Sequence, residues 1–206
     1  MLIDIDIQKL RELAKNFKDM SEDLESELNP KSIPKSEEKE IVITRDLNSK
    51  IKGAPNFTYR EFIESDTAKR LNISNIPSDN EWFNIEVLAA QVLQPIRQQF
   101  GRIKITSGYR CLELNTAIGS SKSSSHIKGE AADFKPLKSG ISLIDIIDFI
   151  YNKLDFRELI LEYGLSGWIH ASYRRNSNLK KLKLKDKDHN YSLVSLEYLH
   201  KLYDKT

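Results

Sequence analysis

Apolar residues recur at helical spacing near the start of the chain. Between Ile7 and Leu28 they fall three or four positions apart, and charged residues fill most of the positions between them. This periodicity predicts an amphipathic helix in residues 1–28. Its apolar stripe either packs on the body of the protein or docks on another chain, as in a coiled coil.

The segment that follows, residues 29–55, has no sustained period and is predicted to be a linker. It opens with NPKSIP, whose two prolines disfavour a regular helix, and it continues as a charged run broken only by the strand-like IVIT. The composition changes from Asn56 onward, so a folded domain is expected to begin there.

The first part of this domain is predicted to be helical. The run FTYREF has a threonine and a glutamate in capping-box spacing ahead of a short helix. Ser78 or Asp79 is expected to cap a longer helix, which has a broad apolar face and stops at Gly101. Pro95 lies inside that pattern and predicts a bend or the last turns of the helix.

The second part of the domain alternates strands and helices. RIKITS and AADFKP are predicted strands, LELNTAIG a short helix, SSKSSS an exposed loop and ISLIDIIDFIYNKL an amphipathic helix. RELILEYGLSGWIHASYR is predicted to form a hairpin around Gly164 to Gly167. Helices first and hairpin strands later indicate an α+β fold, with a small antiparallel sheet and flanking helices, rather than a parallel doubly wound sheet.

The chain becomes basic towards its C-terminus. After Ser172 it continues RRNSNLKKLKLKDKDHN, in which basic residues outnumber acidic ones. We interpret this run as a solvated face or an extended tail, and contact with an anionic polymer or a partner is the alternative. The closing YSLVSLEYLHKLY is predicted to be a terminal helix. The predicted domain thus spans residues 56–175, and residues 176–206 are a C-terminal extension.

The bulk composition limits the classes of protein that this chain can belong to. Its 206 residues suffice for one core with an appendage. Lys and Arg number 32 against 30 Asp and Glu, so the total charge does not indicate a nucleic-acid binder. Cys111, the single cysteine, excludes an internal disulfide framework and a cysteine-based zinc site. No apolar run approaches the roughly 18 residues of a membrane span, and a secretory signal pattern is absent.

The run SSSHIKGEAADF contains two possible metal ligands, His126 and Asp133, seven residues apart. Alternation along the AADF strand places Asp133 and Phe134 on opposite faces. A catalytic zinc ion needs three protein ligands and one open position, and a mixed set of histidines and a carboxylate suits it. Spacing alone leaves open whether these two residues form a metal site or are unrelated surface residues.

A longer pattern of motifs resembles a known family. ITSGYRCLELNTAIGSSKSSSHIKGEAADF followed by GWIHASY is similar to the zinc D-alanyl-D-alanine carboxypeptidases (peptidase family M15), which include bacterial cell-wall peptidases and many phage peptidoglycan hydrolases. The resemblance covers residues 56 to 175 and implies the Hedgehog/DD-peptidase fold. One departure is that Arg157 and Glu158 stand where the family commonly has an Asp-Gln pair.

The resemblance also implies roles for individual residues. His126, Asp133 and His170 would be the ligands of one Zn²⁺ ion per chain. Arg110, at the end of SGYR, would hold the substrate carboxylate or the developing oxyanion. Ser125 would either hydrogen-bond within the site or cap a turn.

The residue that acts as general base has two candidates. Related enzymes often have an acidic residue three positions before the last histidine, but here that position is Gly167. Glu162 has the same strand parity as His170, so a suitable hairpin register would put both on one face. Glu130 is closer to the ligands in sequence, but strand alternation makes it less suited to share the face of Asp133.

The expected function is therefore that of a zinc-dependent peptidoglycan peptidase. It would be a D-Ala-D-Ala carboxypeptidase or an endopeptidase for L-alanyl-D-glutamate or cross-link bonds, as in a phage-type lysin. It would be made in the cytoplasm and act on stem peptides of the cell wall after release or delivery, or as a virion component. The alternative is a virion- or assembly-associated structural protein that binds cell walls through this fold with little activity. Residues 7–28 would contact phage virion proteins or a second copy, and neither a nucleic-acid partner nor a membrane span is expected.

Overall fold

The computed structural model describes residues 45–177 and 179–203, and the single residues Lys15 and Lys18. The chain divides into two units, Met1–Thr44 and Arg45–Thr206, and the elements that follow belong to the second. Apart from those two lysines, the amphipathic helix predicted in residues 1–28 and the linker as far as residue 44 lie outside the described residues.

The folded unit begins inside the predicted linker. It starts with the antiparallel strands β1 (Lys50–Ile51) and β2 (Ala54–Thr58) and the short helices α1 (Arg60–Ile63) and α2 (Asp66–Leu71). Arg45 already contacts this unit, since its guanidinium donates to Glu86 at 2.6 Å and lies over the Tyr59 ring. The domain therefore begins earlier than residue 56, because side chains such as Ile51 are buried in its core.

An interrupted helix spans the next segment. It consists of α3 (Asp79–Leu88), a π-helical turn (Ala89–Leu93) and α4 (Gln94–Phe100). Ser78 precedes α3, and Glu81 accepts hydrogen bonds from its amide and hydroxyl, as the capping prediction requires. The π turn lies just before Pro95, which has no amide hydrogen for a regular helical bond, and the amide of Gln94 bonds to the carbonyl five residues back. Gly101 ends α4, as predicted.

Six strands form the main sheet. They are β3 (Ile103–Ser107), β4 (Ala131–Pro136), β5 (Glu158–Glu162), β6 (Trp168–Ser172), β7 (Lys181–Lys185) and β8 (Tyr191–Leu193). Their order is β3, β4, β6, β5, β7, β8, and each neighbouring pair is antiparallel except β5 and β7. The α+β class is as predicted, but the sheet is mixed instead of purely antiparallel.

The basic C-terminal run is part of this sheet. β7 pairs in parallel with β5, and β8 pairs with β7. The prediction of a solvated face or extended tail is wrong for residues 181–185, because the leucines of KLKLK pack onto the core, with Leu182 only 3% exposed, whereas residues 186–193 are exposed. The predicted terminal helix is present as α7 (Leu196–Tyr203), but the first three residues of the predicted segment form β8 instead.

The apolar core occupies one face of the sheet. The remaining elements are α5 (Leu112–Ala117), α6 (Leu143–Lys153) and two 3-10 turns (Ser125–Lys128 and Gly164–Ser166). Isoleucines of α6, including Ile146 and Ile150, pack with Phe134, Leu161 and Ile169 of the strands. The alternate strand positions, which include Asp133, Glu162 and His170, therefore point to the other face. Among the helices that the structure describes, none is long and apolar enough to cross a membrane.

Candidate metal centre

Three candidate metal ligands converge where β4 and β6 pair. Asp133 of β4 and His170 of β6 are directly opposite each other, so their side chains share one face. Phe134, the next residue of β4, is fully buried on the core face, as strand alternation predicted. The third candidate, His126, lies in the 3-10 turn that precedes β4.

The three side chains present ligand atoms at spacings that suit a zinc ion. His126 Nε2 is 3.3 Å from Asp133 Oδ1 and 3.2 Å from His170 Nδ1, and the latter two atoms are 2.8 Å apart. Ligands about 2.0–2.2 Å from a tetrahedral zinc ion lie roughly 3.3–3.6 Å from one another. The two separations that involve His126 are close to this range. The distance between Asp133 and His170 would have to widen by about half an ångström. Two nitrogens and one oxygen leave the fourth position open, as in catalytic zinc sites.

Burial and contacts with neighbouring side chains set the ionisation of His126 and Asp133. Burial lowers the pKa of His126, which is 1% exposed, and so favours the neutral imidazole that binds metals. For Asp133, burial disfavours the charge, but the contacts with His126 and His170 outweigh it and hold the pKa of the carboxyl well below its usual range. A neutral imidazole and an ionised carboxylate are the forms that metal binding requires.

The loop after β3 fixes the orientation of His126. The Nδ1 hydrogen of His126 donates to the carbonyl oxygen of Gly108 at 2.6 Å, so the lone pair of Nε2 faces the other two candidate ligands. The amide of Arg110 donates to the carbonyl oxygen of His126 at 3.2 Å. Gly108 has no room for a side chain, because a Cβ there would collide with the backbone carbonyl of Phe62.

Asn75 holds the same loop, although no sequence pattern singled it out. Its amide nitrogen donates to the carbonyl oxygens of Ile63 at 2.9 Å and Tyr109 at 3.0 Å, and its Oδ1 accepts from the amide of Cys111 at 2.8 Å. These three bonds join the end of α1 to the residues on either side of Arg110. In the run NISNIP nothing distinguishes this buried asparagine from the exposed one three positions before it.

Glu162 lies on the same face as the candidate ligands, one row further along the sheet. Ile160 of β5 is directly opposite His170, and Glu162 is opposite Trp168. Glu162 and His170 are therefore diagonal neighbours, which in such a pair lie about 7–8 Å apart. The carboxylate of Glu162 is buried and forms an ion pair with Lys185, with 2.8 Å between Oε2 and Nζ. The spacing leaves room for a water molecule or a substrate group between Glu162 and His170.

Arg110 brings a largely buried positive charge to this region. Its Nη1 donates to Ser107 Oγ at 3.2 Å, and its Nε is buried with no acceptor among the residues that the structure describes. Burial lowers the pKa of the Arg110 guanidinium, and the charges of Asp133 and Glu162 oppose part of that shift. The guanidinium therefore lies within electrostatic range of both carboxylates and remains charged.

The sequence profile of one peptidase family matches more than half of the chain. The sequence profile of the family described as Peptidase M15 covers residues 55–172. The chain belongs to the peptidase M15 family. No curated protein matches the chain. M15 peptidases are zinc peptidases, and the matched range includes the three candidate ligands but ends before β7.

The β5–β6 hairpin of this M15 chain has no room for a side chain at the position where the resemblance implies an acidic residue. Gly167 lies three positions before His170, and a Cβ there would collide with the backbone carbonyl of Glu162. Aspartate or glutamate at position 167 is thus incompatible with this backbone. On the other arm of the hairpin, the β5–β6 register brings both Glu158 and Glu162 to the face of His170, and the Glu162 side chain is the more buried of the two, 8% exposed against 23%.

Ser125 is held by an arginine that departs from the usual M15 pattern. Its Oγ accepts from Arg157 Nη1 at 3.1 Å, and Arg157 is one of the two residues that replace the Asp-Gln pair. The turn is capped by the preceding residue, Ser124, whose Oγ accepts from the amide of His126 at 3.3 Å. The Ser125 hydroxyl therefore connects the ligand-bearing turn to the start of β5.

Glu130 is engaged elsewhere. Arg174 binds it in bidentate fashion, with N–O distances of 2.8 Å to Oε1 and 2.7 Å to Oε2. Both oxygens of this buried carboxylate thus accept hydrogen bonds from one guanidinium. Glu162, whose ion pair with Lys185 engages Oε2, has a second oxygen for proton transfer. The arrangement favours Glu162 over Glu130 as a base.

Proposed function

We propose that this M15 peptidase uses one zinc ion to hydrolyse peptide bonds of peptidoglycan. The observation that carries the proposal is the spacing of His126, Asp133 and His170, whose ligand atoms all lie within 4.8 Å of one another. That donor set fits a three-ligand zinc site with an open position. The order of motifs from SGYR to WIHAS, which resembles that of D-alanyl-D-alanine carboxypeptidases, supports the choice of peptidoglycan.

Glu162 is the residue that we assign to proton transfer. When bound, zinc supplies Lewis acidity that polarises the scissile carbonyl and makes a water molecule more acidic. Glu162 accepts the proton of the attacking water at Oε1, the oxygen that Lys185 does not hold. It then returns the proton to the nitrogen of the leaving amine as the C–N bond breaks. Burial of Glu162 limits the loss of that proton to bulk water.

Arg110 is assigned to the negative charge of the substrate. A guanidinium has five N–H donors, and the bond to Ser107 uses one of them. A positive charge at this place stabilises either a substrate carboxylate or the charge that develops on the carbonyl oxygen. Ser125 supports substrate binding by keeping the turn of His126 attached to Arg157.

Two classes of peptide bond are candidates for cleavage. A D-alanyl-D-alanine carboxypeptidase would offer Arg110 the terminal carboxylate of its substrate. An endopeptidase for L-alanyl-D-glutamate or cross-link bonds would use Arg110 mainly for the developing oxyanion. In either case we propose a phage-type lysin that reaches the cell wall after release from the cytoplasm or as part of a virion. Docking to virion proteins, or self-association, would use residues 7–28.

Digestion of purified cell walls tests this function. Zinc-loaded protein is expected to release peptides or D-alanine, and mass spectrometry of the products identifies the bond. His126→Ala should abolish release, and a chelator should do so until zinc is restored. His200→Ala is the matched control, because it removes a histidine of α7 that lies outside the candidate metal centre.

The alternative function predicts a different outcome. A folded, zinc-loaded protein that binds cell walls or virion proteins and leaves all peptide bonds intact would be a structural protein built on the peptidase fold. Zinc content measured on the same sample separates that outcome from a simple lack of the ion.

A further inference from the structure

The charged partner of Glu162 comes from outside the segment that matches the M15 family. Lys185 Nζ lies 2.8 Å from Glu162 Oε2, and the two side chains are 14% and 8% exposed. The family match ends at residue 172, whereas Lys185 is the last residue of β7. The parallel register of β5 and β7 places Glu162 and Lys185 directly opposite each other.

Aromatic rings confine the ammonium group of Lys185. Its Nζ is 5.1 Å from the ring centre of Tyr163, the residue after β5, and 5.1 Å from that of Tyr191 in β8. Burial by itself disfavours the charge, but hydrogen bonds with Glu162 and Tyr191 outweigh it and raise the pKa of Lys185 above its usual value. The ammonium group is therefore charged and held between two rings.

This ion pair restricts the carboxylate of Glu162. A glutamate side chain has several rotatable bonds, and a buried carboxylate without a counter-ion would tend to turn towards solvent. Lys185 engages Oε2 and so determines where the other oxygen, Oε1, lies. A displacement of about 1 Å in a catalytic group can lower a rate by roughly 10²-fold. Orientation of Glu162 is therefore a property that the reaction requires.

We infer that Lys185 is a positioning residue, which holds Glu162 Oε2 so that Oε1 faces the candidate zinc ligands. This inference rests on the proposed function, because it takes Glu162 as the base. If the inference is correct, strand β7 contributes a residue to the active site of this chain. The sequence pattern had predicted this strand to be solvated.

Lys185→Met tests the inference, because it removes the ammonium group and keeps the apolar part of the side chain. We expect unchanged zinc content, a KM within about twofold of wild type and a kcat lower by at least about tenfold. Lys185→Arg restores a charged donor and should recover most of the lost kcat. A Lys185→Met enzyme with the kcat of wild type would overturn the inference.

Lys183→Met is the matched control. Lys183 lies on the same strand and face and forms an ion pair with Glu158 of β5. Its loss weakens the same pairing of strands but leaves the contact to Glu162 in place, so kcat is expected to stay within about twofold of wild type. Equal losses of kcat in Lys183→Met and Lys185→Met would mean that β7 acts only through fold stability, which would also overturn the inference.

Crystal structures of the same zinc-loaded proteins give a readout that does not depend on activity. In Lys185→Met the Glu162 carboxylate is expected to move by more than about 1 Å, and in Lys183→Met it should stay in place. An unmoved carboxylate in Lys185→Met contradicts the inference. If wild type cleaves no cell-wall bond, the proposed function fails, while this comparison still decides whether Lys185 positions Glu162. Should Lys185→Met not fold, Lys185→Gln is read in the same way.

Discussion

His126 donates its Nδ1 hydrogen to the carbonyl oxygen of Gly108, and the two atoms are 2.6 Å apart. A carbonyl oxygen can only accept, so this bond selects the tautomer in which Nε2 is unprotonated. Nε2 is the atom that lies next to Asp133 and His170. The backbone of the SGYR loop thus sets the chemical form of a candidate metal ligand.

Gly108→Ala is expected to weaken zinc binding. The new methyl group would collide with the carbonyl of Phe62, and the shift of the loop would disturb the bond to His126. Loss of a hydrogen bond to a ligating histidine typically lowers metal affinity by about 10–100-fold. Competition with a fluorescent zinc chelator measures the affinity. Gly119→Ala, at an exposed glycine with φ of 71°, should cost some stability but leave zinc affinity unchanged.

Zinc removal is expected to lower the melting temperature of the wild-type protein. A ligand that binds only the native state at 100 times its Kd adds about 2.7 kcal/mol of stability. For a domain of this size that corresponds to a shift of several degrees. In His170→Ala the shift on adding chelator should be much smaller, because one of the three candidate ligands is missing. Differential scanning calorimetry measures the melting temperature of both proteins with and without chelator. Equal shifts in wild type and His170→Ala would argue against His170 as a ligand.

Glu162→Gln should separate catalysis from metal binding. The glutamine has the same shape but cannot take up the proton, so kcat is expected to fall by about 10²–10⁴-fold while zinc content stays at one per chain. Glu158→Gln, four residues earlier on the same face of β5, is the control and should keep its activity. Undiminished turnover in Glu162→Gln would remove Glu162 from this role, and a large loss in Glu130→Gln would point to Glu130 instead.

The face of β4 that carries Asp133, and the face that Glu162 and His170 share, could be predicted because they depend on local patterns, whereas the pairing of Asp133 with His170 joins residues 37 positions apart and was implied only by the resemblance. Alternation along AADF assigns Asp133 to the face opposite Phe134. A hairpin around Gly164 to Gly167 gives residues 162 and 170 equal parity, and the observed register puts them on one face. Each step concerns one strand or one turn, where periodicity and turn length determine the geometry.

Contacts between distant segments could not be predicted in this way. KLKLK looks solvated in sequence because three of its five residues are lysines, and its place beside β5 depends on tertiary packing. The ion pair between Glu162 and Lys185 follows from that placement and was missed with it. The bidentate contact of Arg174 with Glu130 joins residues 44 positions apart, and no local signal marks either one.

Asn75→Asp is expected to destabilise the protein and to impair the site through the loop that carries Arg110. The substitution keeps the size of the side chain and its acceptor, but it replaces the donor that binds the carbonyls of Ile63 and Tyr109 with a second acceptor. A buried acceptor that faces two carbonyls costs about 1–3 kcal/mol, and more when it is charged. Chemical denaturation should therefore show that the free energy of unfolding falls by at least about 2 kcal/mol. The value of kcat/KM should also fall, because the loop no longer holds Arg110 and the Gly108 carbonyl in place.

Asn72→Asp is the matched control, since Asn72 is exposed and its left-handed backbone accommodates aspartate. Similar stabilities of the two variants would show that the three bonds of Asn75 are not what holds the loop.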